Sequence, residues 1–148
     1  MTFDKLPAYL RWANRRTLDS MQTAPNLEPR AWEIATHLLE AEWLWLERLQ
    51  GRVCNISWPK QVNPAQLRDA VERNAVAYAD YLARLANSNP PITYTNSKGE
   101  SFTHLAQDIL AQVFSHGAYH RGQIAMLVKR GGGQPAMTDY IFFIRETR

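Results

Sequence analysis

The stretch from about Thr103 to Arg130 keeps an apolar period of three and four residues over its whole length, with no proline inside it. As a helix it is a rod of roughly 40 Å at 1.5 Å per residue. Gly131-Gly132-Gly133 ends it, since glycine tolerates a left-handed cap, and Lys129 and Arg130 suit the negative end of the helix dipole. Three other stretches carry the same one-sided period. The first runs from about Asp4 to Gln22, and the proline-containing segment Thr23 to Pro29 breaks it. The second, about Pro29 to Gln50, has proline at its first position and Gly51 as its stop. Arg52 to Val62 reads as a loop. Asn63-Pro64-Ala65-Gln66 then reads as an N-cap, a first-turn proline and a capping-box glutamine, opening a third helix that fades at Asn87. Pro90-Pro91 blocks any continuation. Ile92 to Thr95 and Glu100 to Phe102 flank Asn96-Ser97-Lys98-Gly99 as a small β-hairpin, and Thr138 to Arg145 forms a short terminal element. The expected fold class is all-α: a four-helix bundle with a β-hairpin before the fourth helix, residues 1–148 forming one domain.

Composition removes several classes of function. Hydrophobic residues make up 45% and charged residues 21%, ordinary for a globular chain. A formal charge of +3 with no run of Lys and Arg gives little affinity for phosphate backbones, so nucleic acid is not an expected partner. Apolar runs such as Ile124 to Val128 are too short to cross a bilayer, and no leader-like segment opens the chain, so a cytoplasmic protein is expected. A single cysteine, Cys54, makes neither an intrachain disulfide nor a cysteine-type zinc cluster.

Three histidines break the apolar pattern. On the fourth helix the inward stripe reads Leu105, Ile109, Val113, then His116 and His120, then Ile124 and Leu127. At positions i and i+4 the two imidazoles share one face, one turn apart, and can converge on one ion. On the second helix Ile34, Leu38, Ala41, Trp45 and Leu49 lie to one side of His37 and Leu44 just to the other, so His37 falls within the inward arc as well. A buried imidazole without a partner costs a few kcal/mol, so three that point into one core need a common explanation. A divalent transition metal supplies one, with zinc or nickel favoured and iron, manganese or copper also suited to imidazole. Three neutral ligands leave the ion its full charge and leave coordination positions open, which suits ionisation of water or of a small thiol. Glu33, Asp108 and Gln112 lie one or two turns from the ligands, within reach of their second ring nitrogens; solvated boundary positions explain the two carboxylates better. Tyr119 fits the rim of the site or an aromatic packed against the neighbouring helix, Arg121 fits a grip on an anionic substrate or a charged outer face, and His104 fits a surface or capping role near the start of the fourth helix.

The second helix carries another apolar stripe, Trp32, Leu39, Trp43 and Leu46, away from the His37 side. Two stripes imply burial on both sides, beneath the terminal segment with Phe142 and Phe143 or against a second subunit, and a homodimer is the expectation.

The chain resembles the DinB-like proteins, metal-binding four-helix bundles that include YfiT-like relatives. The resemblance rests on Tyr9 to Arg16, on Thr36 to Leu46, on the ending Pro135 to Phe143, and most specifically on His116-Gly117-Ala118-Tyr119-His120-Arg121-Gly122-Gln123-Ile124. It implies a metal triad of His37, His116 and His120, the same three that periodicity selects. Ser115 departs from the asparagine expected there, which removes a neighbouring hydrogen bond and leaves the ligands. Some relatives are thiol-dependent S-transferases or isomerases using low-molecular-weight thiols, and many have no assigned reaction. The implied function is a metal-dependent transferase or hydrolase acting on a small molecule. The alternative is a non-catalytic metal-binding or stress-response bundle. An open coordination position would favour the first and a closed fourth ligand the second.

Overall fold

The computed structural model describes residues 2–54 and 63–147. Its elements are α1 (Leu6–Met21), α2 (Pro29–Leu49), α3 (Pro64–Leu85), β1 (Pro91–Thr95), β2 (Ser101–Leu105), α4 (Ala106–Arg130) and α5 (Tyr140–Glu146). The all-α architecture with a hairpin before the last long helix is as expected. The capping box forms: Asn63 Oδ1 accepts from the Gln66 amide at 2.9 Å, and Gln66 Oε1 accepts from the Asn63 amide at 3.1 Å. Of the loop expected over 52–62, residues 52–54 carry no regular structure and 55–62 lie outside the described residues.

The hairpin is longer than the sequence suggests. Antiparallel pairing runs from Pro91 opposite Leu105 to Thr95 opposite Ser101, so Thr103 to Leu105 belong to a strand and α4 starts at Ala106. His104 therefore lies on β2, exposed, its Nδ1 3.2 Å from the Tyr94 hydroxyl, and not on a helix. Pairing partners ten or more residues away decide these positions, and local helical periodicity carries no trace of them.

In the bundle α1 packs against α3 and α4, and α2 packs against the same two, so α1 and α2 stand on a diagonal. The connection between them crosses the end of the bundle over the glycine triplet. A Cβ on Gly131 would lie 2.9 Å from the Asn26 carbonyl oxygen, and one on Gly133 2.8 Å from the Ala24 backbone. Gly131 has a negative φ of −75°. Close approach of the crossing loop, more than a left-handed cap, accounts for these two glycines.

Because α2 lies between α3 and α4, its buried residues form one broad arc, from Ala41 through Leu38 and Glu42 to Leu46 and Leu39. The second apolar stripe is covered by α3 within the same chain. Leu39 and Leu46 are 1% and 0% exposed, and the Arg73 guanidinium sits 4.4 Å from the Trp43 ring. Phe143 packs on Tyr9 and Trp12 of α1, each ring 5.7 Å away, and does not cover α2. The double stripe thus needs no second subunit to explain it. No helix among the described residues is long and apolar enough to cross a membrane.

The apolar core divides into two clusters. One gathers Leu6, Leu10, Leu46, Tyr78, Ile109, Val113 and their neighbours, and the other Leu18, Ile34, Leu39, Val71, Ile124 and Val128. Between them lies a polar layer of Asn14, Glu42, Asn74 and Arg121, one residue from each long helix, all 3% exposed or less. Asn14 Nδ2 donates to Glu42 Oε1 at 2.7 Å, and Asn74 Nδ2 to Glu42 Oε2 and to the Leu39 carbonyl, both at 3.1 Å. Arg121 Nη1 donates to Asn14 Oδ1 at 3.0 Å and Nη2 to the Tyr9 hydroxyl at 2.9 Å; that hydroxyl donates to the Thr138 carbonyl at 2.8 Å. Burial pushes the Glu42 carboxyl above its ordinary range, against the pull of the two asparagine hydrogen bonds and the Arg121 charge.

Candidate metal centre

Antiparallel packing of α2 on α4 brings His37 to the pair His116 and His120. The ring centroids are 5.3 Å apart for His37 and His116, 4.8 Å for His37 and His120, and 4.3 Å for His116 and His120. One candidate ligand nitrogen from each ring lies within 4.8 Å of the other two. The Nε2 atoms of His116 and His120 are 3.0 Å apart. Two imidazole nitrogens on one zinc at about 2.0–2.1 Å stand roughly 2.8–3.4 Å apart for angles between right and tetrahedral, so this pair already fits a shared ion. Soft imidazole donors without a carboxylate suit a transition metal better than calcium or magnesium.

The triad sits at the edge of the core, although the apolar pattern places it inside. On α4 the fully buried line passes through Ile109, Val113, Gly117, Arg121, Ile124 and Val128, one step round from the histidines. His116 and His120 are half-buried and His37 is exposed, so solvent has an approach to the site from the α2 side.

The electrostatics favour neutral rings. His116 is pushed down to about 4, first by burial and then by the neighbouring His120 and His37. His37 is also held below its ordinary value, by burial, then by His120 and Arg30. Rings that stay neutral keep their lone pairs for a metal.

Gln123, one turn beyond His120, was not among the residues the sequence singled out around the ligands. Its Oε1 lies 2.7 Å from His120 Nδ1. A carbonyl oxygen only accepts, so Nδ1 carries the proton and Nε2 is left with the free lone pair toward the cluster. In the metal-free site His116 Nε2 then donates to His120 Nε2; to offer that nitrogen to an ion as a neutral ligand, His116 would carry its proton on Nδ1 instead. The i, i+3 spacing from His120 was the available signal. The other orienting candidates do not serve: Glu33 is exposed and paired with Arg30 at 2.8 Å, and Asp108 and Gln112 make no hydrogen bond to the imidazoles among the described residues. Tyr119 stands at the rim, 66% exposed, its ring 5.2 Å from that of His120. Arg121 is an inner residue and is 2% exposed, so it is no rim cation. Periodicity singles out neither Asn14 nor Glu42 and leaves Arg121 open to an outer face; the contacts that mark them as a buried layer join residues 28 and 107 positions apart.

A family model described as DinB family matches residues 2–148. The chain is also 22% identical over 162 residues to "Protein DinB" of Bacillus subtilis (strain 168), with 97% of this chain and 94% of that protein covered. No solved structure matches significantly.

Proposed function

The chain belongs to the DinB family, and on that premise we propose that it is a metal-dependent enzyme acting on a small molecule, of the thiol-dependent S-transferase or hydrolase type. His37, His116 and His120 would hold a divalent transition metal, zinc or nickel by preference. The observation that carries this reading is the approach of three imidazole nitrogens to within 4.8 Å, with the Nε2 atoms of His116 and His120 already 3.0 Å apart. A divalent ion in such a donor set supplies Lewis acidity to a thiol or an oxygen ligand. The chain's own groups do the rest. Gln123 holds the His120 ring in the tautomer that offers Nε2. The exposed edge of His37 leaves room for a ligand, and the exposed Tyr119 ring stands 5.2 Å from that of His120.

A purely structural ion is the weaker reading, because structural zinc sites are closed by four protein ligands and three donors meet here among the described residues. The test is a screen of zinc- and nickel-loaded protein with low-molecular-weight thiols and small electrophiles, run beside the His120→Ala variant. Turnover by the loaded wild type that the variant loses supports the proposal. Wild type that binds metal, yet gives no turnover with any thiol or hydrolysable ester, would return the protein to the non-catalytic reading.

A further inference from the structure

We infer that the buried polar layer, with Arg121 at its centre, is a positioning device that sets the rotation of α4 and so aims His116 and His120 at His37. The inner face of α4 is apolar on both sides of the site, with Ile109 and Val113 before it and Ile124 and Val128 after it. An apolar stripe repacks with small losses when a helix turns or slips, so packing alone selects weakly among neighbouring rotations. A buried charged fork does not have that freedom. Arg121 is tied through Nη1 to Asn14 and through Nη2 to Tyr9, and Asn14 hands the connection to Glu42 on α2. The fork therefore refers α4 both to α1 and to the helix that carries His37.

Gly117 is part of the same device. A Cβ at this position would lie 2.8 Å from Arg121 Nη1, so the guanidinium occupies the place of the missing side chain. His116 and His120 each immediately precede one of these two residues. About 100° separates neighbours on a helix, so a rotation that buries Gly117 and Arg121 turns both imidazoles sideways toward α2. A register role of this kind is the best-attested use of buried polar groups, whose contribution to stability is commonly small or negative. Arg121 Nε, buried without a hydrogen-bond partner, agrees with a residue kept for placement.

The test replaces the layer by apolar groups of similar size: Asn14→Leu, Glu42→Met and Arg121→Met together. Every polar neighbour left behind keeps a partner, since Asn74 still donates to the Leu39 carbonyl and Tyr9 to the Thr138 carbonyl. The variant is expected to fold with an unchanged or higher melting temperature. It should lose the through-space proton contact between the His37 and His120 rings, whose centroids are 4.8 Å apart, and weaken zinc binding by about 10- to 100-fold. Retention of both the ring contact and the wild-type zinc affinity overturns the inference. So does failure of the triple variant to fold, because the layer would then be holding the fold together.

Gly117→Ala gives an independent arm. Helix propensity favours alanine, so a stabilised variant with wild-type zinc affinity also overturns the inference; weaker zinc binding that adding Arg121→Met fails to restore supports it, and restoration by Arg121→Met overturns it, since the ligands would then be aimed without the guanidinium. Only the zinc arm rests on the proposed metal site. The ring contact is read without an ion, so wild type that shows the contact and binds no zinc sinks the metal reading and leaves this one standing.

Discussion

Replacing Gln123 by leucine removes one hydrogen bond and leaves all three ligands in place, and that makes it an informative substitution at the site. The bond to His120 Nδ1 is short, 2.7 Å, and it fixes which ring nitrogen faces the other imidazoles. Loss of such an outer partner lowers metal affinity by about 10- to 100-fold, or roughly 1.4–2.7 kcal/mol. Gln123 is only half-buried, so the fold itself should change by no more than about 0.5 kcal/mol. Gln123→Glu is the control. A carboxylate accepts the same Nδ1 proton and makes the ring more basic, so its zinc affinity should equal or exceed that of the wild type. The assay is a competition titration of zinc against a chromophoric chelator at neutral pH, with thermal melts of all three proteins. Wild-type affinity in Gln123→Leu would refute the reasoning. Equal losses in both variants would refute it too, since any side chain other than glutamine would then be unsuitable for reasons unrelated to the tautomer.

Three further outcomes follow from the same structure. His116 is held near 4 against an ordinary value of 6.5, so between those values the unfolded chain takes up a proton that the folded chain refuses. The stability of the metal-free protein should therefore be complete above about pH 6.5 and fall as the pH drops toward 4, and His116→Gln should flatten that fall in urea titrations. A steeper fall in the variant would contradict the sign. Leu46→Ala, at a site with 0% exposure, should cost about 2–5 kcal/mol and lower the melting temperature by roughly 4–20 °C; a change of a degree or less would contradict its placement between α2 and α3. Asn63→Ala breaks the capping box of α3 and should cost about 1 kcal/mol in the same melt.

The positions of the long helices were legible because their stops are local. Pro29, Asn63-Pro64, Pro90-Pro91 and the glycine triplet act within a turn of where they stand. The triad was legible for a related reason, since two imidazoles at i and i+4 and a third read as lying within an apolar arc are anomalies that spacing alone exposes. Its depth was not. His37 reads as inward when only the Ile34 to Leu49 stripe is used, but the buried arc of α2 is centred further round, near Glu42, because both α3 and α4 cover it. Glu42 and Arg121 were illegible for the opposite reason: a charged residue on an amphipathic helix is normally solvated, and only tertiary partners show that these two are buried. The hairpin's last three residues were lost to the same non-locality, because Thr103 to Leu105 keep a helical pattern and are claimed by pairing with Pro91 to Thr93.

The central claim is that ligands from two different helices meet on one ion. Zinc titration of the metal-free wild type beside His37→Ala tests it most directly, because His37 alone comes from α2 and the variant leaves the i, i+4 pair intact. The wild type should bind one ion per chain. If the 10–16 kcal/mol of a four-ligand zinc site is shared evenly among its ligands, His37→Ala should lose about 10²- to 10³-fold in affinity. Equal affinity in the two proteins would contradict the account, as would a wild type that binds no ion.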